Sequence, residues 1–140
     1  MIEVRVDDGG LASAFKLTGR MLRNDTARMI ARTGARVRTQ VRAGASGRPG
    51  PRAPTGNYRR SISHTNGHDG AIPVSVISTN APQAARLEYG FSGIDALGRS
   101  YNQPAYPHWR PAAEKAQEFL MAEADKLVAD VISRLQGGNQ

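Results

Sequence analysis

Three groupings in this 140-residue chain hold the residue types that chemistry uses: Ser61, His64 and Asp69 as in a hydrolase triad, His64, His68 and Asp69 as in a metal site, and Glu88 with Asp95 as a carboxylate pair. Residue types alone do not suffice. A triad must converge from separate parts of a scaffold beside an oxyanion site, whereas Ser61, His64 and Asp69 follow one another along one short segment. His64 and His68 run into an Asn66-Gly67 turn, so their spacing of four does not put both imidazoles on one helical face, and no further ligand is evident. Nothing around Glu88 and Asp95 marks a substrate cleft. The expectation is a protein that is not an enzyme, with no catalytic residue, metal or cofactor assigned.

Anion chemistry is better represented. The stretch "GASGRPGPRAPTG", from Gly44 to Gly56, has the glycines that let a backbone approach a phosphate. It lacks the Gly-Lys-Ser/Thr ending of a nucleotide loop, and its prolines remove N–H donors. It reads as a flexible, exposed arm over residues 44–54, with Arg48 and Arg52 offered to DNA or to a partner. Arg28, Arg32 and Arg36 recur every four residues, a row of guanidinium groups about 6 Å apart on one helix face. Such a row grips phosphates or the acidic side chains of a neighbouring subunit, or is simply a solvated face. Few aromatics are interleaved with it, which disfavours stacking on bases.

The charge is placed unevenly. The chain carries +7 overall, yet residues 16–60 hold twelve Lys or Arg against Asp25 alone, so the remainder is net acidic. A nucleic acid or an acidic protein surface is the partner such asymmetry suggests. There is no cysteine, which excludes disulfides and thiolate metal sites. The opening "MIEVRVDDGG" lacks the order of a signal peptide, and no stretch approaches the roughly 18 apolar residues of a membrane span. A soluble, unexported protein without membrane contact is expected.

These residues must be positioned by a single domain, since 140 residues is an ordinary domain length. Ile2, Val4 and Val6 alternate with charged residues, as in a half-buried strand. Leu11 to Arg42 has helical period, with Phe15, Leu22, Met29, Ile30, Val37 and Val41 on one stripe and glycines at 19 and 34 inside it. Arg59–Thr65 and Ile72–Thr79 read as a hairpin turned by Asn66 to Gly70. Ala81–Tyr89 reads as a short helix capped by Asn80, with Pro82 in its first turn, and Gly90–Pro107 as loop. "YNQPAYPHWRPA", Tyr101 to Ala112, gathers three of the eight aromatics ahead of a last helix. That helix runs to about Leu135 with Ala113, Ala116, Leu120, Ala124, Leu127, Val128 and Val131 on one face. Trp109 is expected to be anchored there, in packing or at an interface. The fold class is α+β: a small antiparallel sheet flanked by long N-terminal and C-terminal helices.

Taken together, "TGNYRRSI" (Thr55 to Ile62), "ARLEYGFSG" (Ala85 to Gly93) and "QPAYPHWRPA" (Gln103 to Ala112), in this order and followed by a long helix, resemble the head-tail joining family of lambda-like long-tailed bacteriophages. The resemblance spans nearly the whole chain. It implies a non-enzymatic virion component at the head-tail junction, made in the host cytoplasm. Six copies would form a ring joining the head connector to the tail tube around the DNA channel, touching neighbouring connector and tail proteins and, without sequence preference, the DNA. It places Tyr58, Arg59, Arg60, Glu88, Tyr89, Tyr106, Trp109 and Arg110 beside the arginine row as subunit or partner contacts. The row would meet Glu114, Glu118 or Glu123 of the next subunit, because a ring joins two different faces of each copy. A tail terminator capping the tube and a small basic nucleic-acid-binding protein are the alternatives.

Overall fold

The structure, a computed structural model, describes residues 2–7, 20–52, 54–94 and 96–137. It is an α+β arrangement with a three-stranded antiparallel sheet, a separate two-stranded hairpin and two long helices. Strand β1 (Ile2–Val6) pairs with β3 (Ile72–Thr79), which also pairs with β2 (Ser63–Asp69), so β3 is central. Pro73, Ser75, Ile77 and Thr79 of β3 are buried on its inner face at the expected period of two.

Helix α1 (Arg20–Gly44) covers that face. Thr26, Met29, Ile30, Thr33, Gly34, Val37 and Val41 are buried along one stripe, so packing of this face adds to the helix propensity of a segment rich in Ala and Arg. The part of the expected helix before Arg20, with Phe15, lies outside the described residues. Close approach at the centre depends on Gly34: a Cβ there would run into the Ser75 side chain and stand 2.7 Å from His64 Nε2. Ser75 in turn bonds His64 Nε2 and Asn66, so this tight crossing is polar and satisfied.

Helix α4 (Trp109–Gly137) lies antiparallel to α1. The pairing is fixed by Asp25 with Arg134 at 2.5 Å and by Arg36 with Glu123 at 3.4 Å, about three turns along each helix from the first pair. Its buried side turns through Ala112, Ala116, Phe119, Leu120, Ala124 and Leu127, while Ala113 and Val128, expected on this face, are exposed.

Four other expectations are corrected. Asn57–Ser61 forms a short helix, α2, where a turn and strand were expected, because Tyr58 and Ile62, four apart, are both drawn into the core. Asn66-Gly67 does not turn the hairpin; both residues pair with β3, and the reversal comes at Gly70-Ala71. Helix α3 spans Ala84–Tyr89 with Gln83 at its N-cap, later than an Asn80 cap would start it. Residues 90–107 are not all loop, since β4 (Phe91–Ile94) and β5 (Ser100–Gln103) form a hairpin.

Replacing Gly34 by Ala improves helix propensity by about 1 kcal/mol in an unobstructed helix. Here it forces α1 and β3 apart, so Gly34→Ala lowers stability by about 1–3 kcal/mol, read as the urea unfolding midpoint. A stabilised variant would contradict this packing.

Candidate functional site

The residues of the three quoted stretches meet at one buried polar node. An α-helix leaves its first four N–H groups without intrahelical partners. At α4 these belong to His108 at the cap position, Trp109, Arg110 and residue 111, which is proline and has no N–H. The other three all donate to one carboxylate: His108 N and Trp109 N to Glu88 Oε2 at 2.8 and 2.9 Å, Arg110 N to Glu88 Oε1 at 2.9 Å. Glu88 is only 3 % exposed. Its charge faces the positive end of the α4 macrodipole, so a buried anion is compensated without a cationic side chain.

A chain of side-chain hydrogen bonds adjoins this cap. Trp109 Nε1 can only donate, and it does so to Tyr58 Oη at 3.0 Å. The Tyr58 hydroxyl is therefore free to donate to His108 Nε2, 2.5 Å away. That assignment puts the imidazole proton on Nδ1, where it donates to the Tyr106 carbonyl at 2.8 Å, with Glu88 Oε2 at 3.1 Å. Burial pushes His108 below its ordinary value, against the opposing pull of the Tyr106 carbonyl and Glu88, and burial pushes the Tyr58 phenol up. Both groups are thus neutral at pH 7. A node of this kind orders the fold; it offers neither an exposed nucleophile nor a base open to a substrate.

Two close approaches hold the segments in place. Tyr106 N donates to the Leu87 carbonyl at 2.7 Å. Gly90 ends α3 at φ 80°, where a Cβ would stand 3.0 Å from the Gln103 carbonyl oxygen. The chain therefore folds back so that residues 103–108 pass directly over the end of α3.

The other expected residues fall into several environments. Tyr58, Glu88 and Trp109 lie inside the chain, which corrects their reading as contact residues: each is required by the node. Arg36 is also engaged internally, with Glu123 and over the Phe119 ring at 4.3 Å. Glu123 is buried and also meets Lys126, and Glu114 meets Arg110, so the expected pairing across subunits loses Arg36, Glu123 and, in part, Glu114. Arg28 and Arg32 remain exposed, on a cleft of about 330 Å³ between α1 and α4. Arg59, Arg60, Tyr89 and Arg110 are at the surface to different degrees.

The described residues of the 44–54 segment are less exposed than expected. Ala45, Gly50 and Pro51 are buried, Gly47 N donates to the Pro51 carbonyl, and Arg48 stacks on the Tyr106 ring at 3.7 Å. Arg52 is exposed.

The catalytic groupings do not assemble. Ser61 Oγ bonds the Tyr58 carbonyl and Thr79, His64 bonds Ser75, and Asp69 pairs with Arg5 at 2.8 Å. Among the described residues no group of three or more His, Cys, Asp or Glu is placed to hold a metal ion. Asp95 lies outside the described residues. No helix among them is long and apolar enough to cross a membrane. Comparison with protein-family models, curated proteins and solved structures finds no match to this chain.

Removing the carboxylate in Glu88→Ala strands two buried donors and a third that is half-buried, and costs about 3 kcal/mol by urea unfolding. Glu88→Gln keeps one carbonyl oxygen for two of them and costs about half as much. Equal effects of the two changes would sink the capping role.

The pH response has a defined sign. His64 and His108 are both lowered, chiefly by burial and for His64 also by the charge of Arg38, so the unfolded chain binds more protons as pH falls through about 6.5. Their stabilising contribution is present above that pH and lost below it. The urea midpoint accordingly falls between pH 7 and pH 5.5, and falls less in His64→Gln.

Proposed function

We propose that this protein is a structural virion component that forms a ring at the head-tail junction of a long-tailed bacteriophage, joining the head connector to the tail tube around the DNA channel. The observation that carries the reading is the presence of apolar side chains at the surface of two different elements. Around the β4–β5 hairpin, Ile94 is 74 % exposed and Tyr89 and Tyr101 stand out as well; on α4, Met121, Val128 and Ile132 form a second exposed stripe at helical spacing. A closed ring of identical subunits is built by a heterologous contact, one patch of a copy against a different patch of the next. Exposed apolar clusters are where such contacts form.

The internal node agrees with the resemblance. The three stretches that carry it are distant in sequence and come together through Tyr58, Glu88, His108 and Trp109, as parts of one architecture would. The hairpin packs chiefly on itself and on α3, where Arg86 lies over the Phe91 ring at 4.1 Å, so it is available to reach a neighbour. Arg28, Arg32 and Glu118, exposed on α1 and α4, add charge of both signs to the same assembly. No catalytic step is required for the role.

The purified chain, alone and mixed with tail tubes, is expected to appear as rings by mass measurement and negative-stain imaging, with the ring seated at the head-proximal end of the tube. Ile94→Glu and Val128→Glu, both at exposed positions, keep the unfolding midpoint within about 0.5 kcal/mol of the parent and lose the ring. A chain that stays monomeric at high concentration, or variants that still close rings, would overturn the reading.

A further inference from the structure

Three guanidinium groups gather where the end of α1, the 44–54 segment and α2 meet. Arg42, Arg59 and Arg60 line an open cavity of about 470 Å³ together with Thr39, Ser46 and Gly56. Arg59 and Arg60 are close neighbours: their terminal nitrogens lie 3.5 and 2.9 Å from the point a Cβ on Gly56 would occupy.

Each group is held by neutral acceptors. Arg42 Nη2 donates to the Ile62 carbonyl at 2.6 Å, Arg59 Nη1 to Ser46 Oγ at 3.1 Å, and Arg60 Nη2 to Asn57 Oδ1 at 2.5 Å and to the Thr55 carbonyl at 3.3 Å. Among the described residues none of the three has a carboxylate partner. The buried Arg42 Nε also has no acceptor. A guanidinium carries five N–H donors, so most of this donor capacity is unused while the side chains are already tethered.

We propose that this cavity is a binding site for a phosphoryl oxyanion. Like charges brought together with no counter-ion repel one another, and a bound anion removes that repulsion. The two oxygens of a carboxylate lie in one plane and match a single bidentate arginine best, whereas the tetrahedral oxygens of a phosphoryl group point in several directions, toward separately held donors. The site deepens the proposed function by naming residues that would meet the DNA backbone, and it rests on that reading only for the source of the phosphate.

The test uses the full chain. Inorganic phosphate is titrated against chloride at equal ionic strength while thermal unfolding is followed, and binding of a 30-base-pair duplex is measured over a salt series. Phosphate is expected to raise the unfolding midpoint of the parent and of Arg28→Gln/Arg32→Gln, and to leave Arg59→Gln/Arg60→Gln unmoved. For the duplex, losing two phosphate contacts lowers the slope of log K against log salt by about 2. Arg60→Gln alone, at an exposed side chain, serves as a second variant should the double change disturb folding.

Protection by phosphate without duplex binding assigns the site to a free phosphate. Equal protection by acetate, or none by phosphate, overturns the proposal in favour of a protein carboxylate or an empty surface. The phosphate arm is read on the single chain, so a failure to form rings leaves it readable and the two proposals fail separately.

Discussion

The Glu88 carboxylate is the interaction on which the rest of the structure depends. Helix α4 begins inside the protein, with His108 and Trp109 both buried, so the N–H groups of these two residues need an acceptor from the protein itself. One carboxylate from α3 receives three of the helix's first N–H groups, and Pro111 removes the fourth. No local residue could do this, because the cap position is occupied by His108, whose ring is turned toward Tyr58 and the Tyr106 carbonyl. The start of this 29-residue helix is therefore fixed by a residue twenty positions before its cap. Through Trp109 and His108 the same cap sets Tyr58, and with it the placement of α2 beside the core.

A second constraint is the close approach of α1 to β3. Small residues on both sides, Gly34 on the helix and Ser75 on the strand, let the backbones draw near, and Thr33 and Thr79 continue this small polar seam while bonding locally to the Met29 carbonyl and to Ser61. Larger apolar residues at these positions would separate the layers. The antiparallel register of α1 and α4 follows from the Asp25–Arg134 and Arg36–Glu123 pairs, so part of the basic face that looks like a docking surface is spent on the fold itself. What remains is divided instead of forming one continuous stripe: Arg28 and Arg32 share their cleft with Asp25, Glu123 and Asp130, whereas Arg42, Arg59 and Arg60 line a cavity with no carboxylate among its lining residues.

Periodicity made the long elements legible. Ile2, Val4 and Val6 and the stripe from Met29 to Val41 face the core as their spacing requires, while β3 keeps the period of two but buries Ser75 and Thr79 and leaves Ile72 exposed. The misread elements were those in which a local signal competed with a distant one. Tyr58 and Ile62, four apart, fit a helical turn as well as a strand, and burial of both decided for α2. Asn66-Gly67 is a strong turn dipeptide, yet the register that buries Ser75 and Ile77 carries it into β2. The node itself left only a negative trace. A helix opening with His-Trp-Arg-Pro has no Ser, Thr, Asp or Asn to cap it, and that absence was the signal that an acceptor had to come from elsewhere. His108 carries no positive signal of its own, and Glu88, expected at a contact surface, is instead buried against the start of α4.

The division between interior and surface also bears on how such a chain could change partners. The stretches Thr55–Ile62, Ala85–Gly93 and Gln103–Ala112 contribute the residues that build the node, whereas Ile94 and the Met121, Val128 and Ile132 stripe lie outside them. A substitution at Ile94 or Val128 alters what the protein can touch without reaching Glu88 or Tyr58. A substitution at Glu88 releases the start of α4, and with it the helix that displays the second apolar stripe. Contact surfaces are thus free to vary around a fixed internal cap, while the cap is coupled to every surface that α4 presents. The proposed ring subunit, which would meet different neighbours on its two sides, is served by that arrangement, because each surface is tuned on its own element while one buried carboxylate keeps the elements in register.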